Sequence, residues 1–369
     1  MHLEPINVSL VRPELAKRVA IPAYDNMTGR ERAELAEQEP LSFLHAIGIG
    51  PSPISAALEG LARVRSAFDQ PRPRAFVYRL QQGLSLQTGV VCGIPFDQLG
   101  LVKPHESTSP ARVEALVEYT EQVGVVSSPV AVAYRHTEAM EALLAETTAS
   151  IPSHDFLSQD GLRQTVWEVT GEAVAIAGVS IDAVYITDGH HRVASLKAYA
   201  ERNETTPALL SVLFAHDDLR VAAFNRILLR VDPSEVRTAL NRLGAEPTQI
   251  ERPAPGETIV LFERERWLVR LPPAASDSPA ARLDSARLDE HVIVPLVGSA
   301  VPGGNIVAVP GPVSIDEEQV AAGHGVAFLL ADPSIDQMMA VADAGENMPA
   351  KSTYFSPKPR SGVFLRYFD

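Results

Sequence analysis

A β-branched run, Ala183-Val184-Tyr185-Ile186-Thr187, stops at Asp188-Gly189 and passes with no linker into His190–Ala200, a stretch of good helix formers. A strand that becomes a helix within two residues fixes the direction of both elements and leaves a chemically special corner between them. The first N–H groups of a helix have no acceptor inside it, and the helix dipole adds positive potential at that end. An anion is therefore favoured there. Gly189 lets the backbone approach a ligand closely. Arg192 offers a forked donor for phosphate, and His190 and His191 add further donors. Asp188 is suited to cap the helix or to hold Mg²⁺ through water. The same residues also describe a plain helix start with Asp188 as cap and a solvated polar face. A metal held by both histidines is a weaker alternative, because adjacent helical positions face different ways.

The 369 residues suggest two or three units, at roughly 100–200 residues each. The pattern places borders near 70/71 and 235/236, giving segments 1–70, 71–235 and 236–369. In the first segment, Arg12–Asp25 reads as irregular and Ser42–Ala46 as a short strand. Ser52-Pro53 starts a helix whose apolar face is Ile54, Leu58, Leu61 and Phe68. In the second, Ala75–Arg79 and Gly89–Ile94 read as strands paired across a turn at Gly83. Ser109-Pro110 starts a helix with Val113, Leu116, Val117, Thr120 and Val123 at helical spacing, and Gly124 ends it. An extended run, Val125–Tyr134, and a helix, Glu138–Glu146, follow. Leu162–Val169, carrying a half-buried Trp167, and Ala183–Thr187 are strands. In the third, Pro233–Leu243 is a helix, Thr258–Phe262 and Trp267–Leu271 flank a charged turn, and Gly325–Leu330 is a strand. Pro272–Asp289 reads as a linker leading into a helix. The chain as a whole reads as α+β.

Two further clusters carry chemistry. His105-Glu106 precedes the Pro110 helix, where a carboxylate is a candidate general base; a solvated glutamate is the bland alternative. Lys351-Ser352-Thr353-Tyr354-Phe355 is polar and basic beside an aromatic pair. Lys351 and Lys358 are placed to neutralise phosphate or bind a substrate carboxylate, or else to lie solvated on a structured tail.

Acidic residues outnumber basic ones 46 to 32, a net charge of −14. Such a surface does not attract nucleic acid or anionic lipid as a whole. The single cysteine, Cys92, excludes an intrachain disulfide and any multi-cysteine metal site. The N-terminus has no basic stretch followed by an apolar one and does not read as a signal peptide. The long uncharged run Val292–Ile315 carries Pro295, Pro302, Pro310 and Pro312, which reads as short strands and turns rather than a membrane span. The expected location is the cytoplasm. Walker loops, protein-kinase motifs, Gly-X-Ser-X-Gly elbows and His-Glu-X-X-His helices are missing from the sequence.

The Asp188-Gly189-His190-His191-Arg192 turn resembles the phosphate-binding turn of the ParB/sulfiredoxin-like superfamily. The wider chain is identified as a member of the prokaryotic family known as domain of unknown function 1015. The blocks that carry this are Ala20–Asp25, Pro40–His45, Gln87–Gly89, Lys103–Glu106, Asp188–Arg192, Met348–Phe355 with Pro357-Lys358, and Ser361-Gly362. Lys103–Val132 together with the Asp188 turn is similar to archaeal free-serine kinases. The architecture expected is a nucleotide-binding core over 71–235 with N- and C-terminal additions, the C-terminal block closing the site. The resemblance implies ATP or ADP with Mg²⁺ as cofactors and a free amino acid, foremost L-serine, as substrate. Glu106, with His105, takes the catalytic position; Asp188, Gly189, His190, His191 and Arg192 take the nucleotide. Arg226, Lys351, Ser352 and Thr353 are candidate substrate contacts, and Asp188 the metal contact through the nucleotide. Sulfiredoxin chemistry needs a cysteine where His190 stands. The ParB-like CTP switch comes with a helix-turn-helix for which this acidic chain gives no sign. The family often has His-Arg where this chain has Asn225-Arg226. A nucleotide-binding regulatory protein and a metal-assisted hydrolase using His190, His191 and Asp188 are the alternative functions.

Overall fold

The computed structural model describes residues 1–22, 27–48, 53–297, 306–311, 315, 317–322 and 325–368. Contacts divide the chain into two compact units. Met1–Pro104, Thr108–Leu219 and Pro357–Asp369 form one; His105–Ser107 and Arg220–Ser356 form the other.

The first unit contains β1 (Ile6–Leu10), β2 (Arg72–Gln82), β3 (Ser85–Ile94), β4 (Val102–Lys103) and β5 (Val125–Val126). It continues with β6 (Val130–Tyr134), β7 (His154–Leu157), β8 (Arg163–Val169), β9 (Val184–Asp188), β10 (Leu209–Ala215) and a C-terminal strand, Phe364–Tyr367. All lie in one 11-stranded sheet ordered β4-β9-β6-β10-β3-β2-β1-C-terminal strand-β5, with β8 joined to β2 and β7 to β8. Only β10 with β6 and β4 with β9 pair in parallel among the described strands. Its helices are α1 (Ala16–Val19), α2 (Gly29–Gln38), α3 (Leu44–Ile47), α4 (Pro53–Val64), α5 (Pro110–Val123), α6 (Glu138–Thr148), α7 (Gly171–Gly178) and α8 (His190–Asn203).

The sequence borders at 70 and 235 differ from these units because strand pairing ignores them. β1 lies between β2 and the C-terminal strand, with Val8 opposite both Arg72 and Arg366. Both chain ends therefore belong to one sheet. Phe364 of the last strand is fully buried and meets the rings of Phe76 and Tyr78 at 5.2 and 5.4 Å. Tilted and edge-on ring pairs of this kind add to the area they bury.

Local signals held where they were strong. β2 and β3 pair in register from Phe76↔Val91 to Gln82↔Ser85, with Gly83 at φ +58° in the turn. Helix α5 starts at Pro110 and ends at Gly124 in the left-handed region, burying Val117, Thr120 and Val123. Trp167 is buried on β8. Elsewhere packing overruled pattern. Ser42–Ala46 is not a strand; Leu44–Ile47 is helical, with Leu44 and Ala46 fully buried. A short apolar run carries no period that separates helix from strand. Arg12–Asp25 includes the short helix α1, and residues 23–26 of it lie outside the described ones. Ser52, expected as the cap of α4, also lies outside them. The buried face of α4 is Ala57, Gly60 and Val64 rather than the large side chains, and Leu58 is exposed. A Cβ on Gly60 would stand 2.0 Å from the His45 carbonyl oxygen, so α3 and α4 approach through their smallest residues.

The second unit has β11 (Val221–Ala222), β12 (Phe224–Leu228), β13 (Glu246–Pro247), β14 (Glu257–Phe262), β15 (Glu265–Arg270), β16 (Ile306–Pro310), β17 (Val326–Leu330) and β18 (Tyr354–Phe355). Six of them form an antiparallel sheet, β13-β15-β14-β17-β12-β16, and β11 pairs with β18. Helices α9 (Pro233–Arg242), α10 (Asp284–Leu288), α11 (Val294–Val297), α12 (Glu317–Ala322) and α13 (Ile335–Asp343) accompany it. Val292–Ile315 does not read wholly as strands and turns. A π-helical turn, Asp289–Ile293, runs into α11. Leu288, Val292 and Ile293 point into an apolar cluster with Val236, Leu240, Val260 and Phe328, which favours a helix there. No helix among the described residues is long and apolar enough to cross a membrane. The protein is α+β, as expected.

Candidate functional site

In the first unit, β9 delivers Asp188 opposite Ala131 of β6, beside a register slip between Ala131 and Val132. Gly189 follows at φ +113°, ψ +28° as the N-cap of α8, a residue with no side chain to cap the helix. Its carbonyl accepts from Arg192 N at 2.9 Å and Val193 N at 3.1 Å, so the helix is started by the glycine itself. A Cβ at this position would lie 2.9 Å from Arg192 Cζ. Glycine is thus what allows the guanidinium to fold back over the turn.

Arg192 is firmly framed. Its Nη1 donates to the carbonyls of Ser128 and Pro129, both at 2.7 Å, and its Nη2 donates to Asp188 Oδ2 at 2.5 Å. Lys358 Nζ donates to Asp188 Oδ1 at 2.7 Å. One carboxylate therefore sits between two cations, with side chains 18%, 20% and 19% exposed for Asp188, Arg192 and Lys358. Burial alone would raise the Asp188 carboxyl, but Arg192 and Lys358 outweigh it and hold it below its ordinary range. Burial also pushes the His190 imidazole down to about 4, against the pull of Asp188, so it is neutral near pH 7.

His191 Nε2 accepts from the backbone N–H of Ser109 at 3.0 Å. Ser109 is the N-cap of α5, and its own side chain makes no cap bond. The starts of α5 and α8, both without a side-chain cap from their own N-cap residue, are joined through this imidazole. That bond leaves Nε2 unprotonated and puts the proton of the neutral ring on Nδ1.

Asp188 does not fit a directly bound Mg²⁺. Both oxygens are taken by cations, and the cluster of one carboxylate with two cations carries net positive charge, which repels a divalent ion. Among the described residues, no group of three or more His, Cys, Asp or Glu side chains is placed to hold a metal ion.

The second unit gathers the other sequence candidates. His105 is buried, with Nε2 3.3 Å from Thr353 Oγ1, a residue 248 positions away. Its carbonyl accepts from Met348 N at 2.8 Å. Glu106 follows it and is half-buried. Arg226, a candidate substrate contact, is buried. Nη1 donates to Phe224 O at 3.0 Å and Lys351 O at 2.9 Å, and Nη2 to Ala350 O at 3.1 Å. Burial lowers its pKa, with Asp289 at 3.8 Å pulling the other way. Arg226 therefore shapes the 348–354 loop from beneath. Ser352 braces the same loop, since its Oγ donates to Pro349 O at 2.6 Å and meets Ser285 Oγ at 2.9 Å. Lys351 is exposed at φ +59°, with Nζ 5.3 Å from the Phe224 ring centre. A non-glycine residue in that region is uncommon, and the carbonyl grip of Arg226 accounts for it here.

The residues that sequence reasoning left unassigned are the framing ones. Ser128 and Pro129 act through backbone oxygens, which no side-chain motif reports. Buried Gln87 donates from Nε2 to Pro357 O at 2.6 Å and so fixes the lysine segment.

These features define a mixed α+β protein with a charged strand–glycine–helix turn in its first unit. The chain belongs to the family described as protein of unknown function (DUF1015), whose model matches residues 4–286. None of the curated proteins matches it. Among solved structures it is similar to SbnI with C-terminal truncation from Staphylococcus aureus, 15% identical, TM-score 0.42, covering 74% of this chain and 85% of that one. A free serine kinase in complex with AMP is 20% identical at TM-score 0.39, covering 74% and 91%. A conserved hypothetical protein from Pyrococcus furiosus is 18% identical at TM-score 0.36, covering 74% and 94%. At these scores the likeness carries no argument about chemistry, and function is read from the side chains.

Proposed function

We propose that this chain is a nucleotide-dependent kinase that phosphorylates the hydroxyl of a free amino acid, L-serine foremost, on a ParB/sulfiredoxin-like core. The observation that carries the reading is the Asp188–Arg192–Lys358 cluster at a helix start whose N-cap is Gly189. Net positive charge, backbone N–H groups and a glycine that permits close approach suit the phosphates of ATP or ADP. Phosphoryl transfer requires mainly positioning and charge stabilisation. The acceptor oxygen forms the new bond to phosphorus, the bridging P–O bond of the nucleotide breaks, and the hydroxyl proton passes to a base. From the sequence motif we assign that base to Glu106, with His105 beside it in the chain. Any Mg²⁺ arrives with the nucleotide, and the protein's own residues carry every step assigned above.

The test is a matrix of ATP and ADP against free amino acids, with products followed by mass spectrometry. O-phosphoserine is expected with the wild type. Glu106→Gln should keep nucleotide affinity and lose transfer by about 100-fold or more. An equally active Gln variant removes Glu106 from the mechanism. Nucleotide binding with no phosphorylated product from any amino acid would instead make the protein a regulatory nucleotide binder.

A further inference from the structure

Lys358 stands between two prolines, Pro357 and Pro359. Proline fixes its own φ and keeps the preceding residue extended, so the backbone at Lys358 is stiff while its four-carbon side chain stays adaptable. The segment is also pinned on both flanks. Gln87 holds the Pro357 carbonyl, and Arg360 pairs with Asp160. A lysine held this way, on a segment 170 residues from Asp188, meets that carboxylate at 2.7 Å.

The two cations of the cluster are not equivalent. Arg192 has five N–H donors, and three of its bonds go to the protein. It cannot swing towards a ligand without releasing two carbonyls and Asp188. Lys358 has three donors, and among the described residues Asp188 is its one hydrogen-bonded partner. Two ammonium donors are therefore available at the turn. Charge balance points the same way. Arg192 alone neutralises Asp188, so the lysine brings positive charge in excess into a place only about a fifth open to solvent. Keeping uncompensated charge there is costly, and an incoming anion relieves that cost.

We propose that Lys358 is the ligand-facing cation of this site, binding phosphate oxygens of a nucleoside di- or triphosphate, with Arg192 as the positioning residue that holds the turn. This rests on the nucleotide-binding reading above. Lys358 remains anchored to Asp188 through one donor while its other two reach the phosphates.

The full-length protein is titrated calorimetrically with ADP and with inorganic pyrophosphate, comparing wild type, Lys358→Met and Lys358→Arg. The methionine variant keeps the stem and should weaken both ligands about 10–100-fold, the worth of a charge-assisted hydrogen bond. The arginine variant should restore most of the loss. Wild-type affinity in Lys358→Met overturns the assignment, and so does loss that arginine fails to recover. Lys358→Gln is the second neutral variant, and melting profiles like the wild type's exclude misfolding as the cause. A wild type that binds neither ligand overturns the nucleotide reading itself, and this inference with it.

Discussion

At φ +113° and ψ +28°, Gly189 occupies backbone space that a Cβ opposes, and Gly189→Ala turns that geometry into a measurable cost. Local strain in such a region is about 1–3 kcal/mol. The new methyl would also stand 2.9 Å from Arg192 Cζ and Nη2 and 3.0 Å from Nε. That guanidinium is no loose side-chain end, because two carbonyls and Asp188 hold it at 2.5–2.7 Å. Moving it sacrifices at least one hydrogen bond to a charged group, about 1.5–3 kcal/mol. The two effects together come to about 2.5–6 kcal/mol. Gly83→Ala is the internal control. Gly83 also has positive φ, +58°, but nothing lies within 4 Å of its added Cβ. It should cost strain alone, about 1–2 kcal/mol. Urea unfolding of the first unit can be followed through buried Trp167 in a Trp267→Phe background, since Trp267 lies in the second unit. Two compact units need not unfold as one transition, which is why the reporter is confined to one. A Gly189→Ala midpoint no lower than that of Gly83→Ala, with ADP affinity intact, would refute the claim that Arg192 is folded against the turn.

Two further outcomes are expected. His190 has its pKa pushed down by burial from 6.5 to about 4. On acidification the unfolded chain takes up this proton before the folded one, so stability rises with pH between about 4 and 6.5 and is lost as pH falls through that window. The full shift is worth about 3 kcal/mol; urea midpoints at several pH values should show a shallower slope in His190→Gln than in wild type, and equal slopes would contradict it. Asp69→Ala should destabilise the first unit by about 2–4 kcal/mol, since Arg74, with a side chain 2% exposed, loses both of its 2.7 Å carboxylate contacts. That is below the full price of an orphaned buried charge because Asp69 itself is 42% exposed, where solvent screens the pair; an unchanged midpoint would show that Arg74 finds water instead.

Much of the corner was legible in the residues. A β-branched run into Asp188-Gly189, followed at once by helix formers, specifies a strand–turn–helix through local propensity alone, and the structure has β9 and α8 there. The same holds for the β2–β3 hairpin and for α5 between Pro110 and Gly124. Arg226 shows what such reading does not contain. The family resemblance at Asn225-Arg226 made it a candidate substrate contact, and the structure has it buried and donating to the Ala350 and Lys351 carbonyls. Nothing within a few residues of Arg226 announces that loop.

Proline placement, β-branching and glycine thus set the elements of this chain, because they act through the backbone of neighbouring residues. Tertiary structure alone decided which of those elements met: the first strand beside the last, His105 against Thr353, and Lys358 on Asp188. It also chose small Gly60 over large Leu58 for the inner face of α4. Close packing and charge pairing depend on distances through space, and a pattern read along the chain does not contain them.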